Sequence, residues 1–183
     1  MGERKGLPSP RERPFCWFFG LLAIAMLAAT AFGWKFPEQH IIFFNQTASV
    51  PLGFYVRVPE RELARGDYVV YDMTEITRRY AVARGYVTKP NDPFLKRVGG
   101  LAGDTYEIDP DTRRFSIEGV YIGEVFARDR MDRPLPQLSG TFVVPEDSFL
   151  PIGENTRSFD GRYTGAVPRD HIIAVVAPLL TWW

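Results

Sequence analysis

The chain of 183 residues carries 22 basic and 22 acidic side chains, so no net field favours a nucleic-acid partner or a highly charged substrate. Its 16 glycines and 15 prolines are scattered, as in a domain of strands and turns rather than a helical bundle. One cysteine, Cys16, excludes an internal disulfide and any metal centre built on several thiolates.

Phe15 to Trp34 contains no charged residue, and a helix of that length spans roughly 30 Å, the thickness of a bilayer core. Arg4, Lys5, Arg11 and Arg13 precede it, while only Lys35 and Glu38 follow closely. This asymmetry puts residues 1–14 in the cytoplasm, makes 15–34 a transmembrane anchor and carries 35–183 across the membrane. Trp17 and Trp34 stand where aromatic rings favour the interface. A cleaved signal peptide is the competing reading, with small residues at Ala28, Ala29, Thr30 and Ala31. The apolar stretch is longer than a signal core and ends in bulky Phe32, Trp34 and Phe36, which favours an uncleaved anchor.

Beyond the anchor, the apolar run Ile41–Phe44 leads to Ser49. Phe54–Val58 alternates as a strand ended by Pro59, and Asp67–Asp72 is a second strand after the turn at Arg65-Gly66. Thr74 to Tyr86 suits a short helix with Ile76, Tyr80 and Val82 on one side. Pro90 to Pro93 is a turn, and Phe94–Val98 the next strand. Thr105–Ile108 and Arg114–Ile117 read as a hairpin around Asp109-Pro110-Asp111. Ala127 to Ser139, charged and proline-containing, is expected as an exposed insertion. Thr141–Val144, Ser148–Leu150 and His171–Val176 supply late strands. The sum is a mainly β, antiparallel domain behind one N-terminal transmembrane helix.

Two residues suggest chemistry. Ser49 is followed by Pro51 and Gly53, a pair that can hold an irregular segment and present the hydroxyl. A serine attacks an amide only if a base removes its proton, and His40 and His171 lie in no recognisable catalytic motif. Lys96 can serve if it sheds its charge near neutrality. That needs a fall from about 10.4 to roughly 7–8, or about 4 kcal/mol, which burial among apolar groups supplies. On a strand, Phe94, Lys96 and Val98 share one face and Leu95 and Arg97 the other. The Ser49 amide and Thr47 hydroxyl would then form an oxyanion hole. Downstream, Asp160 and Arg162 could pair, and Ser158 could bond to the lysine nitrogen. Read blandly, that stretch is a surface loop with a weak salt bridge.

These segments, in this order, resemble the type I signal peptidases, which pair a serine nucleophile with a lysine base on an antiparallel β-fold. The stretch Asn45-Gln46-Thr47-Ala48-Ser49-Val50-Pro51-Leu52-Gly53-Phe54-Tyr55 departs from the usual Ser-Met-Xaa-Pro-Thr form. It is similar to the Ser-Xaa-Pro-Xaa-Gly-Xaa-Tyr of the conjugative-transfer, TraF-type branch. Asp67–Tyr71 looks like the Gly-Asp-Xaa-Val strand and Lys96–Asp104 like the lysine box. Ser158, Asp160 and Arg162 match the Ser-Xaa-Asp-Xaa-Arg box, although its usual Gly-Asp-Asn opening is Gly153-Glu154-Asn155 here.

The resemblance implies a single-pass protein of the bacterial inner membrane with its peptidase domain in the periplasm. Its partners would be the lipid bilayer and a membrane-tethered precursor, either a signal-peptide-bearing protein or a pilin precursor, and it would need no cofactor. General signal-peptide removal and a non-catalytic periplasmic scaffold of a secretion apparatus are the alternatives. A dyad of Ser49 with His171, assisted by Asp160, is a competing chemistry. A cytoplasmic self-cleaving repressor, which also uses serine and lysine, is disfavoured by the anchor.

Overall fold

The structure, a computed structural model, describes residues 19–24 and 40–183. The chain divides into two units, Met1–His40 and Ile41–Trp183. In the first, residues 19–24 are helical. The rest of the expected anchor, 15–18 and 25–34, lies outside the described residues, as do Cys16 and the expected boundary at 34/35. Among the described residues no helix is long and apolar enough to cross a membrane.

The second unit is mainly β, with all strand pairs antiparallel. In chain order it runs β1 (Ile42–Asn45), β2 (Leu52–Arg57), β3 (Tyr68–Tyr71), α1 (Glu75–Ala83), β4 (Phe94–Leu101), β5 (Thr105–Ile108), β6 (Arg114–Ile117) and β7 (Val120–Glu124). β8 (Gly140–Val143), β9 (Ser148–Ile152), α2 (Gly161–Thr164), β10 (Val167–Pro168) and β11 (Ile172–Trp182) complete it. One sheet has seven strands in the order β1-β2-β11-β3-β4-β9-β10, the other four in the order β7-β6-β5-β8. β11 inserts between β2 and β3, so the last strand of the chain completes the middle of the larger sheet.

The larger sheet is buried on both faces over its central strands. Alternation along β3 sends Val69 and Tyr71 to the main core and Val70 to a second cluster with Tyr55, Leu95 and Val176. The main core also takes Ile108, Phe115 and Ile117 from the smaller sheet, so it joins the two sheets. The expected alternation on β4 holds at its apolar positions: Phe94 and Val98 enter the main core, Leu95 the second cluster. Gly53 in β2 has φ +125°, and a β-carbon there would run into the Leu180 carbonyl on β11.

Several expectations need correction. α1 forms where expected, capped by Thr74, but it buries Thr77 and Ala81 and leaves Ile76 and Val82 exposed. At about 100° per residue Ile76 and Val82 point roughly 120° apart, too far to share one narrow face. The small pair one turn apart lets the helix approach the core closely. β7 has no counterpart among the expected strands, and β11 continues to Trp182 through a bulge between Pro178 and Leu180. The stretch 127–139 is not a free insertion, since Leu135 and Leu138 pack against the main core.

Gly99 tests how tightly the two sheets join. A β-carbon there would meet the Ile152 side chain head-on and sit 3.1 Å from Ile117. Both neighbours are buried, so neither can swing into solvent. Gly99→Ala is expected to cost about 1–3 kcal/mol, read as a lower urea midpoint with an unchanged slope.

Candidate active site

The β1–β2 connection carries Ser49, and one side chain at its entrance organises it. Asn45, only 6% exposed, donates from its amide to the carbonyls of Thr47 (2.9 Å), Val50 (3.2 Å) and Pro51 (2.9 Å). Its Oδ1 accepts from the Thr47 backbone N–H at 3.1 Å and from the Thr47 hydroxyl at 3.0 Å. Tyr55 on β2 adds a bond from its hydroxyl to the Pro51 carbonyl at 2.7 Å. Three carbonyls and one N–H of an irregular loop are thus satisfied without a ladder partner. The Ser49 N–H donates to no group among the described residues, and the side chain is half-buried.

Lys96 stands on β4 opposite Val69, on the face of the larger sheet that builds the main core. It is 2% exposed and makes no ion pair among the described residues. Its Nζ lies 4.8 Å from the centre of the Phe94 ring. Burial lowers its pKa to about 8, with Asp160 pulling the value up and Arg162 pushing it further down.

The loop after β9 supplies the third element. Asp160 and Arg162 form a buried bidentate pair, with Nη2–Oδ2 at 2.7 Å and Nε–Oδ1 at 2.9 Å and both side chains almost fully covered. The weak surface bridge of the bland reading is therefore absent. Asp160 caps α2 by accepting from the Arg162 N–H at 3.1 Å and takes the Gly153 N–H at 2.8 Å. Arg162 turns its remaining N–H groups to the carbonyls of Asn155 and Thr156, both at 3.1 Å. The loop so fixed reaches the first one directly: the Asn155 N–H donates to the Ser49 carbonyl at 3.1 Å. Gly153 sits where a β-carbon would strike Ser158 and the Ser49 carbonyl.

The fold brings Thr47, Ser49, Lys96 and Ser158 to the wall of one cleft of about 330 Å³. Asp160 and Arg162 lie behind it, buried. The Ser158 hydroxyl is buried and has no hydrogen-bond partner among the described residues, so the expected bond to the lysine nitrogen is not made. The Thr47 hydroxyl is engaged with Asn45, and would have to leave it to meet an oxyanion. His171 lines no part of this cleft; its Nδ1 lies 2.9 Å from the Asp72 carbonyl in the turn before β11.

Two contributors escaped the sequence reading. Asn45 was visible as a turn-forming residue at the end of an apolar run, but its five bonds depend on the fold of the loop. The other is the stretch 127–139, which provides a wall of the cleft through Arg128, Arg130, Met131 and Leu135. Its sequence alternates charge with proline, and no periodicity marks its inner side.

Comparison with known proteins identifies the family. Residues 15–183 match the family described as signal peptidase, peptidase S26. The plasmid transfer protein TraF of Escherichia coli is 26% identical over 146 residues, covering 75% of this chain and 82% of its own. The probable conjugal transfer protein TraF of Sinorhizobium fredii is 29% identical over 185 residues, 96% of this chain and 95% of that protein. A signal peptidase I from Leptolyngbya laminosa is 34% identical over 110 residues, 60% of this chain and 48% of the enzyme. On the extent of the family match, the chain belongs to the signal peptidases of peptidase family S26 and has conjugative-transfer proteins of the TraF kind among its relatives.

Proposed function

We propose that this chain is a membrane-anchored serine endopeptidase in which Ser49 is the nucleophile and Lys96 the general base. The observation that carries the reading is a lysine buried without a counter-ion among the described residues, in the cleft that also holds a half-buried serine. A solvent-facing ammonium would stay charged at neutral pH, whereas desolvation favours the free amine a base requires. In the proposed cycle the Lys96 amine takes the Ser49 proton as Oγ bonds to the scissile carbonyl carbon. The Ser49 N–H, unengaged among the described residues, faces the developing oxyanion, with the Thr47 hydroxyl as a second donor after it leaves Asn45. The C–N bond then breaks, the lysine returns its proton to the leaving amine, and water delivered by the same base releases the acyl group. Ser158, with its hydroxyl unpartnered among the described residues, is suited to steady the lysine nitrogen, and the Asp160–Arg162 pair to hold the loop that carries it.

The substrate in this reading is an exported precursor held at the outer face of the bacterial inner membrane, a pilin or another conjugative-transfer protein. The names of the TraF relatives support the conjugative setting. An exposed apolar face supports the bilayer as a partner. Ile42 and Phe44 on β1, Phe54 on β2, and Leu180 and Trp182 on β11 are all exposed. The strand register sets Phe44, Phe54 and Leu180 side by side across the three strands, turned away from buried Tyr55. Such a continuous apolar surface next to the Ser49 loop suits the lipid interface, where a tethered precursor gains effective concentration.

Co-expression of pilin-type and signal-peptide precursors with the wild-type chain tests the reading. Processing is expected to vanish with Ser49→Ala and with Lys96→Ala, and to survive His171→Ala. Loss with His171→Ala and survival with Lys96→Ala would reject the assignment, and the precursor that is cut decides between conjugative and general processing. With the free amine as base, kcat/KM should climb about tenfold per pH unit below about 8 and level off above it.

A further check needs no substrate. Lys96 holds its proton less tightly folded (about 8) than unfolded (about 10.4), so the unfolded chain binds more protons between those values. Stability therefore rises with pH across that window, and below it the buried amine costs about 3 kcal/mol. Lys96→Met should raise the denaturation midpoint at pH 7, with the gain shrinking towards pH 10. A lower midpoint at pH 7 would speak against a destabilising buried amine. On the apolar face, combined Leu180→Ser and Trp182→Ser should slow cleavage of a vesicle-held precursor about tenfold while sparing a soluble peptide.

A further inference from the structure

The cleft that contains Ser49 has a basic wall that the peptide-cleaving steps do not use. Arg128, Arg130, Arg133 and Arg157 line it against one carboxylate, Asp129. Two of these guanidinium groups are engaged within the chain. Arg128 donates to the Asp132 carbonyl at 2.6 Å, and Arg133 Nε lies 2.7 Å from Asp129 Oδ2. Asp129 is likewise occupied, accepting from the Tyr86 hydroxyl at 2.6 Å and from the backbone N–H groups of Met131 and Arg133 at 2.9 and 3.0 Å.

Arg130 and Arg157 remain. Neither makes an ion pair among the described residues, and both are exposed at the cleft. Their backbones, in contrast, are held firmly. Arg130 sits at the tip of a small hairpin closed by the Arg128–Pro134 bridge and by the Asp129 N–H bond to the Arg133 carbonyl at 2.9 Å. That hairpin is tied to the end of α1, with Arg133 Nη2 donating to the Arg84 carbonyl at 3.2 Å. Arg157 lies with its guanidinium 4.4 Å from the centre of the Phe126 ring, and its N–H is fixed to Asn155 Oδ1 at 2.9 Å. Stacking covers the face of the guanidinium and leaves its N–H edge to a ligand.

We propose that Arg130 and Arg157 form a carboxylate-recognition subsite, so that the preferred precursor carries an acidic group beside its scissile bond. The inference rests on the peptidase reading and adds the class of substrate to it. Two planar cations lining one cleft, with Phe126 and Met131 beside them, suit a carboxylate, which a guanidinium can meet with two parallel hydrogen bonds. They also repel a lysine or arginine in the same place, which gives selectivity by exclusion as well as attraction. The carboxylate can belong to an Asp or Glu side chain or to the free C-terminus of a short leaving segment.

The full chain in neutral detergent tests this with peptides that span a processed site. One set carries Glu or Gln at single positions either side of the cleavage point, with amidated C-termini; a second keeps Gln throughout and has a free C-terminal acid. The ratio of kcat/KM for Glu over Gln, or for acid over amide, identifies the source of the carboxylate. In the wild type one ratio should exceed about tenfold. Arg130→Gln and Arg157→Gln should each reduce it about two- to fivefold, raised salt should compress it, and Arg157→Glu should turn the preference towards a Lys-substituted peptide.

Binding of the same labelled peptides to the Ser49→Ala chain, read by fluorescence anisotropy, gives the ratio without cleavage. Ratios near one for all peptides in both assays would overturn the subsite, with Ser49-dependent cleavage left standing. Loss of all cleavage would overturn the peptidase reading, and the binding ratio would still decide the subsite.

Discussion

The ion pair between Asp160 and Arg162 is the interaction on which the candidate site depends. Neither group reaches water, and each is satisfied on every side by the other and by backbone. A buried pair contributes little net stability, because desolvation offsets the attraction, but losing one partner strands a charge in the interior. What the pair supplies is definition. Through Arg162 the carbonyls of Asn155 and Thr156 are held, and through the Asn155 N–H the loop is tied to Ser49. One coupled network thus spans two loops that are more than a hundred residues apart in sequence.

The neighbourhood of Lys96 works in the opposite sense. Among the described residues no carboxylate pairs with it, and the Phe94 ring offers only a weak attraction for a cation. Asp160 lies near enough to raise its pKa, yet its carboxylate is committed to Arg162, whose charge cancels part of the effect. The pair therefore steadies the loop without restoring to the lysine the counter-charge that would keep it protonated. The destabilisation stored at this position is what the proposed chemistry uses.

The elements outside this centre divide the remaining tasks. β1, β2 and β11 present an apolar face, while the hairpin at 128–134 presents cations to the cleft. Both surfaces are built on hydrogen-bonded backbone, with Phe44 and Leu180 on one and Arg130 on the other exposed at the outside. Rigid frames with unengaged side chains suit recognition, because little further ordering accompanies binding.

The strands around Tyr55, Val70, Leu95 and Phe115 were legible because a period of two with turn residues at each end leaves few alternatives. Lys96 was legible as a lysine between apolar neighbours on one strand face, and Ser49 as a serine framed by proline and glycine. The buried side of α1 is not legible, because nine residues give too few turns to separate one stripe from another. The packing of 127–139 is not legible, because its inward residues follow no period and the stretch is held by Tyr86 and Arg84 from elsewhere.

By itself, then, the amino-acid order determined the strand-rich class, the positions of the chemically capable residues and the family, all of which rest on local pattern. Only the tertiary structure decided that Lys96 is dry, that the Asp160–Arg162 pair is interior, and that Asn45 governs the serine loop. Those properties arise from which segments meet, and burial or a hydrogen bond between distant residues has no signature in the local sequence of either.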